Sequence, residues 1–124
     1  MSSIGPARLD ERRADGDVFV LDIRPEQDYL ESHIPESANA PVYHELRGGN
    51  VDALDPHLSA LPDDTEIVTV CKAGIVARNA TDYLDEAGYT ATTLTGGYTG
   101  WRQYEQNTVP YRIVAFLQNI VSRK

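Results

Sequence analysis

The sequence predicts an α/β domain built on a parallel sheet with helices on both faces. Three observations lead there. Val18–Ile23 and Glu66–Cys71 are continuous apolar, β-branched runs of strand length, the pattern of strands covered on both faces. A helical spacing of Ala77, Ala80, Tyr83, Leu84 and Ala87 follows the second run and closes at Gly88. Strand and helix signals also alternate along the whole chain, which lays successive strands side by side through crossover helices.

Taken in order, Pro6–Ala14 holds helix formers, a proline suited to the first turn and Gly16 just past the end, and is expected to be a short opening helix. The strand Val18–Ile23 leads to a short helical stretch, Glu26–Glu31, then an extended piece at 38–42 and a polar helix over about 50–61. Pro62-Asp63-Asp64 is a turn before the strand ending at Cys71. After the helix 77–87 come a third strand over 89–95, a turn at Gly96-Gly97 and a short helix over 98–106. In the tail 109–124, Ile113, Val114, Phe116, Leu117, Ile120 and Val121 fall on one helical stripe, with Pro110 in the first turn. That stripe predicts a final amphipathic helix packed on the domain formed by residues 1–108.

A chain of 124 residues fits one domain with a real core. Its 41% apolar and 24% charged residues are those of a globular protein. No apolar run reaches the roughly 18 residues of a membrane span, and the charged Arg8, Asp10 and Glu11 follow the N-terminus without a signal-peptide stretch. A cytoplasmic location without membrane attachment is therefore expected. The net charge of −8 repels phosphate backbones, so nucleic acid is not an expected partner. Nine of the eleven cations are Arg, with only Lys72 and Lys124 as Lys, and Asp outnumbers Glu. This bias resembles that of proteins from salt-loving organisms, whose dense carboxylates stay hydrated when salt screens charge. It predicts a halophilic protein.

The single cysteine excludes an internal disulfide and a four-cysteine zinc site. His33, His44 and His57 show no ligand spacing, so no metal is expected. Cys71 ends a strand and opens the loop that feeds a helix, where N–H groups converge and the helix dipole presents its positive end. Such a position favours the thiolate, the nucleophilic form of cysteine. Lys72 adds a cation, Gly74 lets the backbone turn tightly, and the N–H groups from Lys72 through Ala73, Gly74 and Ile75 to Val76 can form an anion nest. Taken alone, a cysteine at the end of a strand is better explained as a small buried hydrophobe.

The rest of the chain bears on that choice. Val20-Leu-Asp-Ile-Arg24 with Tyr29, Ser32-His-Ile-Pro-Glu-Ser-Ala-Asn-Ala-Pro41, Val68-Thr-Val-Cys-Lys-Ala-Gly74, Ala87-Gly-Tyr89 and Leu94-Thr-Gly-Gly-Tyr98 with Trp101 occur in one order. Over about residues 4–108 this series resembles the rhodanese (thiosulfate sulfurtransferase) domain. The resemblance implies a three-layer α/β fold with a five-stranded parallel sheet. It also implies an active-site loop that starts at Cys71 and cradles a persulfide.

Two positions depart from the family pattern. Val76 stands where members often carry Arg, five residues after the cysteine, and the nearest loop arginine is Arg78. Asp28 stands where members that act well on thiosulfate tend to carry a cation, just before the aromatic matched by Tyr29. Without a loop arginine and with a carboxylate near the mouth, the site is expected to lack the side-chain cations that grip a small dianion, and so to bind thiosulfate weakly. Ser32 replaces the common Gly of the Gly-His-Ile-Pro motif. Asp22 and Arg24 match the family's Asp-x-Arg pair and are expected to hold loops at the C-terminal edge of the sheet. His33 is expected to bind neighbouring backbone, and Tyr98 and Trp101 to pack.

The leading expectation is a sulfurtransferase that works in two steps without metal or organic cofactor. Cys71 takes a sulfane sulfur from thiosulfate or from a small-molecule or protein persulfide, and passes it to a thiol acceptor. A non-catalytic sulfur carrier or protein-binding module is the alternative. A phosphatase or arsenate reductase is a weaker one, since such enzymes place Arg after a five-residue loop and here six residues separate Cys71 from Arg78.

Overall fold

The computed structural model describes residues 2–107, so the helix expected over 109–124 lies outside the described residues. In chain order the elements are β1 (Ser3–Ile4), α1 (Pro6–Ala14), β2 (Val18–Asp22), α2 (Glu26–Glu31), β3 (Ala38–Asn39), α3 (Tyr43–Arg47), a 3₁₀ helix (Val51–Ala60), β4 (Glu66–Val70), α4 (Ala77–Glu86) and β5 (Ala91–Leu94). Residues 97–107 form a last helix, α5. Among the described residues no helix is long and apolar enough to cross a membrane.

The five strands form one parallel sheet in the order β1-β5-β4-β2-β3. β4 is central, with Val20 of β2 opposite Val68 and Leu21 opposite Thr69. Alternation along a strand sends neighbouring side chains to opposite faces, which explains why both long strands are apolar throughout. Val68 and Val70 join Ile4, Leu9, Leu94 and Trp101 in a core beneath α1 and α5. Ile67 and Cys71 face the other way, into a core with Leu46, Leu54, Ala77, Ala80 and Leu84 under α3, the 3₁₀ helix and α4. Cys71 is thus placed by strand parity on the α4 side.

Thr69 shares that face and is fully buried, so its hydroxyl needs partners. It finds them in the Ala77 carbonyl at 3.1 Å and the Thr81 hydroxyl at 2.8 Å, while Thr81 reaches Thr93 of β5 at 2.6 Å. This chain of buried hydroxyls ties β4, α4 and β5 together directly beneath the loop after Cys71.

Three elements differ from expectation, and each has a local cause. The helix expected over 50–61 is a 3₁₀ helix, with Pro56 inside it; proline has no N–H to donate to an α-helical ladder. The two-residue β1 and the five-residue α3 were not anticipated from sequence, because neither is long enough to show a period.

Candidate active site

Cys71 follows the last residue of β4 and is 1% exposed, and α4 begins six residues later. The loop between them turns back on itself. Gly74 sits at φ +84° with no room for a side chain, since a Cβ there would lie 2.9 Å from the Gly96 nitrogen and 3.0 Å from the Leu94 carbonyl oxygen. The fold brings two backbone N–H groups onto the sulfur: Gly74 N–H donates to Cys71 Sγ at 3.1 Å, and Ala77 N–H, at the first turn of α4, at 3.4 Å. Both aim a donor N–H at the sulfur from the side of the α4 N-terminus. Ala77 is held in turn by the Thr69 hydroxyl, which donates to its carbonyl.

The loop is also fixed from behind. The carbonyls of Cys71 and Lys72 accept the N–H groups of Tyr98 (2.8 Å) and Thr99 (3.1 Å), at the start of α5. α5 can approach this closely because Gly97, at φ +60°, has no Cβ; one would fall 2.6 Å from the Lys72 oxygen and 2.7 Å from the Gly74 nitrogen. With the Cys71 and Lys72 carbonyls bonded to α5, the loop brings the Gly74 amide back onto the sulfur. The N–H groups of Lys72, Ala73, Ile75 and Val76 have no acceptor among the described residues.

Cys71 lies at an open pocket of about 490 Å3. Lys72, Ala73, Ile75 and Val76 line it from the loop, Asn79 from α4, and Tyr43 and Arg47 from α3. Of the loop residues expected at the site, Gly74 contributes its amide and Arg78 is exposed and does not line the pocket. The expectation that side-chain cations are missing is corrected. Arg47 and Lys72 both line the pocket, and the arginine comes from a helix absent from the sequence reading. The available signal was the Tyr43–Arg47 pair followed by Gly48-Gly49, at the same C-terminal sheet edge as the loop after β4, where α/β sheets gather their ligand contacts.

Asp22 and Arg24 are buried and joined by an ion pair of 2.8 Å, with Asp22 Oδ1 also accepting the Arg24 backbone N–H at 3.0 Å. Arg24 Nη2 donates to the Ser32 carbonyl at 2.8 Å, and its guanidinium lies 4.0 Å from the centre of the Tyr98 ring. The pair fastens the end of β2 to the segment after α2 and to the start of α5; it does not line the Cys71 pocket. Asp28, exposed on α2, lines two grooves that adjoin the pocket through Lys72. His33 Nδ1 is 2.7 Å from the Tyr29 carbonyl oxygen and its ring stacks on Tyr29, so it serves α2 and not the site. Trp101 packs in the core beneath the Arg13 guanidinium.

A sequence-family model described as Rhodanese-like domain matches residues 5–104. The chain is 28% identical over 102 residues to the putative sulfurtransferase YtwF of Bacillus subtilis, an alignment covering 82% of this chain and 90% of that protein. It is 26% identical over 106 residues to a sulfurtransferase of Allochromatium vinosum, covering 84% and 91%. Identity reaches 33% over 94 residues with the adenylyltransferase and sulfurtransferase UBA4 of Saccharomyces cerevisiae, where 73% of this chain aligns with 21% of the longer protein. Among solved structures, a rhodanese-related protein from Thermoplasma volcanium superposes with a TM-score of 0.70 at 23% identity, over 84% of this chain and 93% of the other. With the family model spanning four of the five strands, the cysteine loop, α4 and the start of α5, the chain belongs to the rhodanese-like domain family.

Proposed function

We propose that the protein is a sulfurtransferase that carries sulfane sulfur on Cys71. The observation that supports this best is the pair of N–H groups on Cys71 Sγ at the pocket, with further loop amides left without acceptors. The thiolate attacks the outer sulfur of a donor. With thiosulfate, the S–S bond breaks, sulfite leaves with the bonding pair and Cys71–S–S⁻ remains. An acceptor thiolate then attacks the terminal sulfur, the Cys71 S–S bond breaks, and Cys71–S⁻ is regenerated. Backbone amides aimed at the charged sulfur act as an oxyanion hole does, in place before the charge arrives. The relatives named as sulfurtransferases that match nearly end to end favour the same reading.

A phosphatase would need a guanidinium closing the loop around an oxyanion, whereas Arg78 lies outside the pocket and Val76 holds the fifth position. Incubation with thiosulfate is expected to add 32 mass units to the wild type and none to Cys71→Ser. The variant is expected to keep the fold and lose at least 95% of sulfur transfer, because serine matches the size of the thiol and cannot carry a persulfide. Turnover above a few per cent in Cys71→Ser, or hydrolysis of phosphoesters by the wild type, would overturn the reading.

A further inference from the structure

We propose that His44, in the groove that adjoins the Cys71 pocket between α2 and α3, is the general base for the acceptor half of the cycle, and that the acceptor is a thiol small enough to enter this groove. The inference rests on the reading of Cys71 as the sulfur carrier and concerns the step in which the sulfur is handed on.

The need for a base follows from what the Cys71 pocket holds. A thiol attacks as the thiolate and must first lose its proton, yet neither an imidazole nor a carboxylate lines that pocket. The adjoining groove has one of each. It encloses about 240 Å3, room for a thiol of a few heavy atoms, and is lined by Arg24, Pro25 and Asp28 from one side and by His44 from the other. Tyr43 and Lys72 line the groove and the pocket alike, so the two spaces meet along these two side chains. A carboxylate is a poor base for a thiol at neutral pH, whereas an imidazole is matched to proton transfer in that range.

Of the three histidines, His44 alone is both placed and free for this task. His33 is taken up by the Tyr29 carbonyl and ring, and His57, in the 3₁₀ helix, lines neither space. The His44 ring is exposed, makes no hydrogen bond or ion pair among the described residues, and stands edge-on to the Tyr43 ring with 5.3 Å between centres. Its short helix is anchored, since Leu46 is fully buried and the Leu46 carbonyl accepts a hydrogen bond from Asn79 Nδ2 of α4 at 3.1 Å. The charged groups of the groove are Arg24, Asp28 and Lys72, and α3 itself adds Glu45 and Arg47. Arg24 is committed to Asp22 and the Ser32 carbonyl, which leaves Lys72 to favour a thiolate where groove and pocket meet. In the step, R–S–H gives its proton to a ring nitrogen of His44 and its sulfur attacks the outer sulfur of Cys71–S–S⁻. That S–S bond breaks, the electron pair returns to Cys71, R–S–S⁻ leaves, and the imidazolium releases the proton to water.

The test isolates the acceptor step. Wild type, His44→Gln and, as a control outside the groove, His57→Gln are loaded with thiosulfate, freed of donor and mixed with one acceptor at a time at about pH 8. Loss of the added sulfur is followed by intact mass after rapid quenching. Three uncharged acceptors separate proton removal from other effects: 2-mercaptoethanol; 2,2,2-trifluoroethanethiol, which ionises more readily; and tris(hydroxymethyl)phosphine, whose attacking phosphorus carries no proton and leaves as the phosphine sulfide. His44→Gln is expected to slow unloading by 2-mercaptoethanol about 20-fold, less than the roughly 100-fold that a general base commonly supplies, because part of the thiol ionises unaided. The loss should shrink to less than about 3-fold with trifluoroethanethiol and about 1.5-fold with the phosphine, and His57→Gln should match the wild type with all three. An equal loss with all three acceptors would show that His44 only shapes the site and would overturn its role as base, as would full activity of His44→Gln toward 2-mercaptoethanol. Failure of the wild type to take up sulfur at Cys71 would instead overturn the carrier reading, and this inference with it.

Discussion

Asp28 sets its carboxylate on exposed α2, in grooves that share Lys72 with the Cys71 pocket. Lys72 therefore stands between a carboxylate outside and the sulfur inside. For a doubly charged donor the carboxylate opposes approach, and reversing its sign should help by a modest, screened amount. Asp28→Arg is expected to lower the KM for thiosulfate about 2- to 5-fold in dilute buffer, with the gain shrinking at molar salt. Unchanged steady-state thiosulfate kinetics at low salt would show that this carboxylate does not reach the donor. Cys71 and Lys72 were legible in the sequence because motif and element boundary coincide there. Arg47 was not, since its place beside Cys71 depends on β3 lying next to β2, a pairing of Leu21 with Ala38 and Asp22 with Asn39 that no local pattern records.

At the scale of elements, the loop after β4 is wedged between two helix N-termini, with α4 supplying the Ala77 amide to the sulfur and α5 fixing the loop carbonyls. Gly97 is the point of closest approach. Gly97→Ala combines a left-handed backbone angle with overpacking and is expected to cost about 3 kcal/mol of stability. It should also cut sulfur transfer more than 10-fold by displacing Lys72 and Gly74. Urea denaturation and steady-state rates on the same sample check both. On the far side of α4, the Tyr83 hydroxyl donates to Asp55 of the 3₁₀ helix, and this carboxylate pushes the phenol up from 10.0 to about 12. Because the folded value is raised, the stabilisation from this contact is present below pH 10 and lost as pH rises through about 12. In Asp55→Asn, tyrosinate absorbance should develop earlier, nearer pH 10, than in the wild type. The long strands and α4 were legible because burial on both faces and a three-to-four-residue apolar period leave plain marks. β1 and α3 leave none, being positioned by pairing with β5 and by packing on α4.

For the molecule as a whole, the net charge of −8 has few internal partners. Among the described residues, Asp10, Glu11, Asp22 and Glu66 form ion pairs, while most other carboxylates are exposed. Mutual repulsion therefore weighs against the folded state in dilute buffer and falls as the screening length shortens to about 3 Å at molar salt. The melting temperature is expected to rise from low salt to molar KCl. A flat or falling curve in differential scanning calorimetry would leave the acidity without a halophilic meaning. The margins of the sheet lead to one more expectation. β1 and β3 are two residues each, against five for the interior β2 and β4. A margin so short offers no template on which a strand of another chain can extend the ladder. Crowding or partial heating should then drive self-association, where it occurs, through side-chain surfaces and not by growth of cross-β ribbons. Thioflavin fluorescence is expected to stay at baseline while light scattering rises.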